Sequence, residues 1–353
     1  MITEKTTGGE TMSGYTPPFD ITNKMIALIS EISELIGQIK TTAVLDKSPT
    51  LRRRNRILTI HSSLSIEQNT LTVEQVTAVL GGKQVLAPPK DIEEVKNAYE
   101  IYENLDMLDP FSCEDLLKAH GVMMRGLVQE CGEFRSKPVG VADSNTGEII
   151  HFGTLPAYVP ELTEKLLNWV RDSEVHMLIK GCVFHYEFEV IHPFLDGNGR
   201  MGRLWHTLLL SKWNRLFAWL PVESMIYKRQ QGYYDAINLC NNAGSSTVFI
   251  EFMLETIKLA LNEALVTISS EQADDIDRQE NRQETTKKPP RTKADIEELI
   301  LEQLQISSRV TRKQLALMLN VSEQTVRYRL EKLRSEGRIA HRGSTKAGEW
   351  VVI

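Results

Sequence analysis

Ile191-His192-Pro193-Phe194-Leu195-Asp196-Gly197-Asn198-Gly199-Arg200-Met201-Gly202-Arg203 is the stretch on which the reading of this chain turns. An apolar helical run leads into it, and Leu204-Trp205-His206-Thr207-Leu208-Leu209-Leu210 begins another. Pro193 stops the first helix just after His192, because proline has no N–H to donate and restricts the residue before it. Gly197 and Gly199 allow φ > 0 and let backbone N–H groups approach a ligand. Those groups converge where a helix begins, so the loop forms an anion nest backed by the helix dipole. Arg200 and Arg203, three apart, project from one side of the first turn and can clamp two phosphates. Asp196 is an oxygen ligand suited to Mg²⁺, which commonly binds through one carboxylate plus phosphates. His192 is a general base for neutral pH. No Lys-Ser/Thr follows the glycines, so this is not a Walker loop.

Helical periodicity surrounds the loop. Asp20 to Lys40 carries Met25, Ile29, Ile32, Leu35, Ile36 and Ile39 on one face. Leu51 to Leu80 reads as two helices around a Gln68-Asn69 break, the second entered through Thr72 and Glu74. Helices are predicted over 90–104, 114–127, 159–173, 175–190, 199–213, 231–239 and 247–269. Within 134–158, two β-prone runs (Val139-Gly140-Val141 and Ile149-Ile150-His151-Phe152) flank an Asn145-Thr146-Gly147 turn, a hairpin signal. Residues 1–20, rich in Thr, Gly and Pro, read as a disordered N-terminus. Residues 270–293 are nearly free of apolar side chains and end in a Pro-Pro pair, which reads as a linker or a solvated helix end followed by one.

Beyond that lies a basic module. From Ile306 to Lys346 ten Lys/Arg face three Glu, a surplus of +7 on a chain whose net charge is −6. Ala294–Gln305, Thr311–Asn320 and Ser322–Leu333 are helical, and Gly337–Ala340 and Gly348–Val352 are strand-like. That order is a winged helix-turn-helix, with Gln324, Thr325, Arg327 and Tyr328 facing out from the recognition helix. Residues 311–346 suit DNA phosphates, and a protein-interaction or dimer module stays open. The four cysteines, Cys113, Cys131, Cys182 and Cys240, fall in no metal-ligand spacing. With no leader pattern and no membrane-length apolar run, a cytoplasmic protein is expected.

Residues 192–203 resemble the Fic family at every fixed position of its signature, His-x-Phe-x-Asp/Glu-Gly-Asn-Gly-Arg-x-x-Arg, and the likeness extends over roughly residues 50–265. The resemblance implies a mainly α fold: an N-terminal helical region (21–100), a helical catalytic core (101–269) with a β-hairpin flap, and the winged helix (294–353). It implies transfer of AMP from ATP to a protein hydroxyl. His192 would take the proton, Asp196 would hold Mg²⁺, Gly197, Asn198 and Gly199 would bind phosphate, and Arg200 and Arg203 would hold the β- and γ-phosphates. UTP or GTP would use the same loop. The hairpin near 138–153, after Gly132-Glu133-Phe134-Arg135, resembles the flap that docks a target protein as an added strand. Tyr233, Tyr234 and Asn241 resemble an adenine pocket, and His185 an orienting residue.

Ser63-Leu64-Ser65-Ile66-Glu67 resembles the family's inhibitory helix, Ser/Thr-x-x-x-Glu-Gly/Asn, which places Glu67 on Arg203 and denies that guanidinium to the γ-phosphate. Gln68 departs from the small residue usual at the next position. Two other functions stay open: a winged-helix DNA-binding regulator with a nucleotide-sensing core, and a deAMPylase in which Glu67 places a water. A homodimer is neither required nor excluded by any pattern in the chain.

Overall fold

The structure is a computed structural model and describes residues 15–42, 48–142, 149–287, 293–308, 310–319, 321–342 and 349–353. It divides at Ser270/Glu271 into two compact units. The first is helical: α1 (Asn23–Thr42), α2 (Pro49–Ile66), α3 (Val73–Leu80), α4 (Pro89–Glu103), α5 (Cys113–Met123), α6 (Val159–Asp172), α7 (Met177–Ile191), α8 (Asn198–Trp213), α9 (Val222–Lys228), α10 (Gln230–Ala243) and the start of α11 (Thr247–Lys287). Strands β1 (Gly140–Ala142) and β2 (Ile149–Phe152) pair antiparallel, Val141 opposite His151, with an irregularity between Val141 and Ala142. The turn expected between them lies outside the described residues.

α7 and α8 form the central hairpin. Twelve of the 15 residues of α7 and 13 of the 16 of α8 are buried, so neither helix keeps a solvent face. One apolar cluster packs α1 and α9–α11 against them through Met25, Ile32, Phe249 and Ile257. A second packs α2–α6 through Ile60, Val95, Leu116 and Leu166 onto Phe188 and Trp205. Truncating a side chain as enclosed as Trp205, whose Nε1–H donates to Pro110 O at 2.9 Å, would cost about 3–5 kcal/mol.

The structure corrects one expectation, decides a second and adds a helix that was not predicted. Residues 15–20, read as frayed, are anchored: Tyr15 donates to Glu187 at 2.8 Å, Ser246 N–H donates to Pro18 O at 2.9 Å, and Phe19 meets Trp169 edge-on. Their aromatic rings find the core, which outweighs the flexible composition around them. α11 runs to Lys287, so of the two readings of residues 270–293 the helix end followed by a short linker is the one that fits. Glu, Gln, Arg and Lys lose little side-chain freedom in a helix, and no Gly or Pro stops the chain before Pro289-Pro290. Helix α9 went unread because seven residues are too few to display a period.

The second unit carries α12 (Lys293–Ile306), α13 (Arg312–Leu319), α14 (Glu323–Ser335) and an antiparallel pair, β3 (Ile339–Arg342) with β4 (Glu349–Val352). Ser322 caps α14 by accepting from Thr325 N–H at 3.1 Å. Ile300, Leu315, Val326, Leu330 and Ile339 form its core, and a buried Glu297 pairs with Arg329 and Lys332. No helix among the described residues is long and apolar enough to cross a membrane.

Candidate active site

The loop between α7 and α8 owes its shape to groups far away in the chain. α7 ends on His192, whose φ of 52° is left-handed and strained for a non-glycine residue. Arg135 holds it there. That buried guanidinium donates from Nε to His192 O at 2.6 Å, from Nη1 to Lys137 O, and from Nη2 to Thr154 O and Ile191 O; Arg135 N–H also donates to Pro193 O. One side chain thereby ties the end of α7 to both flanks of the β1–β2 pair. His120 braces the other half of the loop. Its Nδ1 accepts from Gly132 N–H at 2.9 Å, so its Nε2–H donates to Asp196 O at 3.0 Å, and its ring stacks on Phe194 at 3.6 Å. Burial pushes His120 down to about 4, so it stays neutral in that role.

His192 places Nδ1 3.3 Å from the carbonyl oxygen of Glu189. A carbonyl can only accept, which favours the Nδ1–H tautomer and leaves the lone pair on Nε2, as a base requires. The Glu189 carboxylate lies 3.9 Å from the same nitrogen, and burial raises it to about 7.

Asn198 turns inward. Its side chain accepts from Phe194 N–H at 2.9 Å and donates to Phe194 O at 2.8 Å, so it braces the loop and offers a ligand only its backbone. The first helical bond of α8 runs from Met201 N–H to Gly197 O, so the N–H groups of Asn198, Gly199 and Arg200 precede the intrahelical ladder. Gly197 has φ 85°, and a Cβ there would meet Met124 Sδ at 2.6 Å. Gly199 is needed for a different reason than the one expected. It is helical, and a Cβ would collide with Oε1 of Glu67.

The two arginines diverge. Arg200 is buried, donating to Glu94 Oε1 and to Asp196 Oδ1, each at 3.0 Å. Glu94, which the sequence did not flag, also accepts from Asn69 Nδ2 at 2.8 Å. Arg203 donates from Nε to Ser63 Oγ at 3.1 Å and from Nη2 to Ser63 O at 2.9 Å and Glu67 Oε1 at 2.7 Å. Burial is the largest influence on Arg203 and would lower it, but Glu67, Tyr233 and Glu189 acting together hold the guanidinium above its ordinary range.

Glu67 caps α2, and the chain leaves in a Schellman turn: Asn69 N–H to Leu64 O and Gln68 N–H to Ser65 O, both 3.1 Å. Gln68 therefore adopts φ 67°, the conformation that glycine or asparagine takes most cheaply. Ser63, Glu67, Gly199 and Arg203 thus converge. Asp196 stands at the rim, its side chain 49% exposed.

The expected base pocket needs one correction. Tyr233 is 2% exposed, its hydroxyl 3.0 Å from His185 Nε2, because its position on α10 faces the core. It presents no aromatic face. Tyr234 is 38% exposed and Asn241 half-buried, its Oδ1 accepting from Tyr186. Arg135, His120, Glu94 and Glu189 are the residues missed by sequence reasoning; only Arg135 lay in a stretch already singled out.

Residues 110–210 match the Fic/DOC family, and residues 294–340 match the winged helix-turn-helix DNA-binding family. A crystal structure of a Fic family protein from Desulfovibrio desulfuricans G20 is 37% identical and superposes with a TM-score of 0.69, covering 96% of this chain and 98% of that one. The fold and site define a helical protein with a glycine loop capped by its own carboxylate. The chain belongs to the Fic family. It is also similar to protein adenylyltransferase fic-1 of Caenorhabditis elegans, 24% identical over 246 residues, and to protein adenylyltransferase Fic of Nematostella vectensis, 27% identical over 206. These matches take 66% and 55% of this chain and 45% of each relative, so the chain spans less than half the length of those curated relatives.

Proposed function

We infer that this chain is a protein adenylyltransferase that moves AMP from ATP onto a protein hydroxyl and is restrained by Glu67. The observation that carries the reading is the Arg203–Glu67 pair. A carboxylate from α2 occupies the guanidinium at the start of α8, where a triphosphate would need it. His192 Nε2 takes the proton of the target hydroxyl while its oxygen bonds to Pα. The bond from Pα to the oxygen bridging to Pβ breaks, pyrophosphate leaves, and AMP stays on the target as a phosphoester. Phosphoryl-type transfer is chiefly positioning and charge stabilisation. The N–H groups of Asn198, Gly199 and Arg200 and the side chain of Arg203 would supply that here, while Gly197 N–H is taken up by Asp196 Oδ1 and the Arg200 side chain acts through Asp196. Tyr234 and Asn241 are the remaining base contacts, and the β1–β2 flap is where a target segment would dock.

A half-exposed single carboxylate fits Mg²⁺ that is held mostly by phosphates. Asp196 would hold it, and once bound it neutralises phosphate charge.

Intact-mass spectrometry of Glu67→Ala with ATP and Mg²⁺ tests the reading. A gain of one AMP, absent when His192→Ala is added, is expected; a protein whose mass never changes overturns it. Should the same pair of proteins differ only in removing AMP from a modified substrate, Glu67 serves a hydrolytic reaction instead.

The second unit is proposed to contact nucleic-acid phosphates. Gln324, Arg327 and Tyr328 on α14 are exposed, and Thr325 half so. A binding constant that falls steeply with salt is the expected signature.

A further inference from the structure

We propose that a second anion site, for a small phosphate-bearing compound, lies at the opening turns of α2, outside the catalytic loop. A cavity of about 260 Å³ opens there beside Arg52, Arg53 and Arg56, with Glu103 as its one acidic lining group. Three positive charges against one negative leave the cavity cationic. The placement adds to the imbalance: Arg52 closes the first turn of an 18-residue helix capped by Ser48, a turn that holds no acid and where the dipole already carries positive charge. Repulsion of this kind is relieved by an anion.

Two of the three guanidinium groups, those of Arg52 and Arg56, are held in place. Arg52 and Arg56 carry Cζ 5.3 and 4.8 Å from the centroid of the Trp219 ring, and Arg56 lies 5.3 Å from that of Tyr102. Arg56 is buried and fixed by Glu103 Oε1, 3.3 Å from its Nε. Trp219 is itself secured, since its carbonyl accepts from Asn55 Nδ2 on α2 at 3.0 Å. An arginine immobilised on an aromatic ring keeps its N–H fork for an oxyanion and loses less freedom on binding one. The lining also includes the apolar side chains of Ile57 and Leu80.

The volume falls below the range of about 300–1,000 Å³ usual for drug-sized ligands. A phosphate group with a short organic body fits such a space. A dianion matches the excess charge better than a carboxylate does, and guanidinium forks bind phosphate oxygens in pairs. The shared chemistry is the phosphate itself, free or as a monoester. No residue of the cavity belongs to the 192–203 loop, so this binding is independent of whether AMP transfer occurs.

The test is calorimetry on the full chain, with Glu67 intact, titrated with inorganic phosphate and with phenyl phosphate, and with acetate as the carboxylate control. Binding of either phosphate and weaker binding of acetate are expected. Arg52→Ala/Arg53→Ala, which removes two side chains at the surface, should weaken phosphate binding by about tenfold or more. Tighter binding of phenyl phosphate assigns a monoester that uses Ile57 and Leu80; equal binding assigns phosphate alone. Unchanged affinity in the double variant would move the anion to the start of α8 and overturn the proposal, as would no binding at 10 mM, about the weakest affinity a site so charged should show. If the alanine variant does not fold, Arg52→Lys/Arg53→Lys keeps the charge but loses the fork. It too should bind phosphate more weakly than wild type, and equal affinity sinks the idea.

Discussion

Arg200 and Arg203 stand one turn apart at the head of α8, both buried and both paired with a carboxylate, yet the two pairs are built differently. Glu94, partner of Arg200, has a side chain 5% exposed, and it also accepts from Asn69. Losing Glu94 would leave the buried Arg200 with only the solvent-exposed carboxylate of Asp196, so this pair belongs to the scaffold. Glu67, partner of Arg203, is 32% exposed at the C-cap of a helix and has one charged partner. Water or a phosphate oxygen can take its place. A single turn of helix thus carries one arginine paired with a buried acid and one paired with an acid open to solvent, and burial of the acid, more than of the base, makes the difference.

The two pairs should respond unequally to mutation. Glu94→Ala should destabilise the protein by about 3–5 kcal/mol, because Arg200 and Asn69 lose a shared buried acceptor. Chemical denaturation measures it, and a loss no larger than that of Glu67→Ala would erase the distinction.

Acid should attack the fixed side. His120 and His206 are held by burial at about 4 in the fold, against 6.5 when unfolded. Their contribution is present above pH 6.5 and is lost as pH falls toward 4, where only the unfolded chain takes up the protons. Glu189 acts oppositely: raised from 4.5 to about 7, its contribution is present below 4.5 and lost as pH rises through 7. Melting temperatures should therefore fall from pH 6.5 to 4.5. His206→Leu, which removes an unpartnered ring nitrogen, should flatten that decline while changing stability at pH 7 by less than about 1.5 kcal/mol.

On the releasable side, Glu67→Ala should raise AMP incorporation about tenfold or more, the equivalent of about 1.4 kcal/mol of latch, with a far smaller stability change than Glu94→Ala. Radiolabelled ATP reads it. Gln68→Gly should be the mildest, relieving a left-handed non-glycine residue and stabilising the turn by about 0.5–1 kcal/mol. It should lower basal labelling, whereas an increase would mean that the turn does not support the latch.

Much of the site could be read locally. Pro193 after His192 and Gly197 before Asn198 dictate a helix stop and a helix start by their own backbone chemistry, so the end of α7 and the start of α8 needed no tertiary information, whereas the shape of the loop between them rests on Arg135 and His120. The Ser63–Glu67 spacing likewise placed both groups on one helix. Asn198 was legible as part of the loop but not as its internal brace, because an amide at a helix start can face a ligand or its own loop. Tyr233 was misassigned for the same reason: two adjacent tyrosines on α10 point in different directions, and only packing decides which is core.

What the sequence determined by itself is what neighbours in the chain decide: turns, caps, the face of a helix, and the set of chemical groups at one loop. Tertiary structure alone decided the pairings. Glu94 meets Arg200 across 106 residues and Arg135 reaches His192 across 57, while the Glu67–Arg203 pair across 136 was expected only from the resemblance to a family and not from any local pattern. A buried charge settles with whichever opposite charge the fold brings within reach, and that distance is set by how the helices pack, which no local pattern encodes.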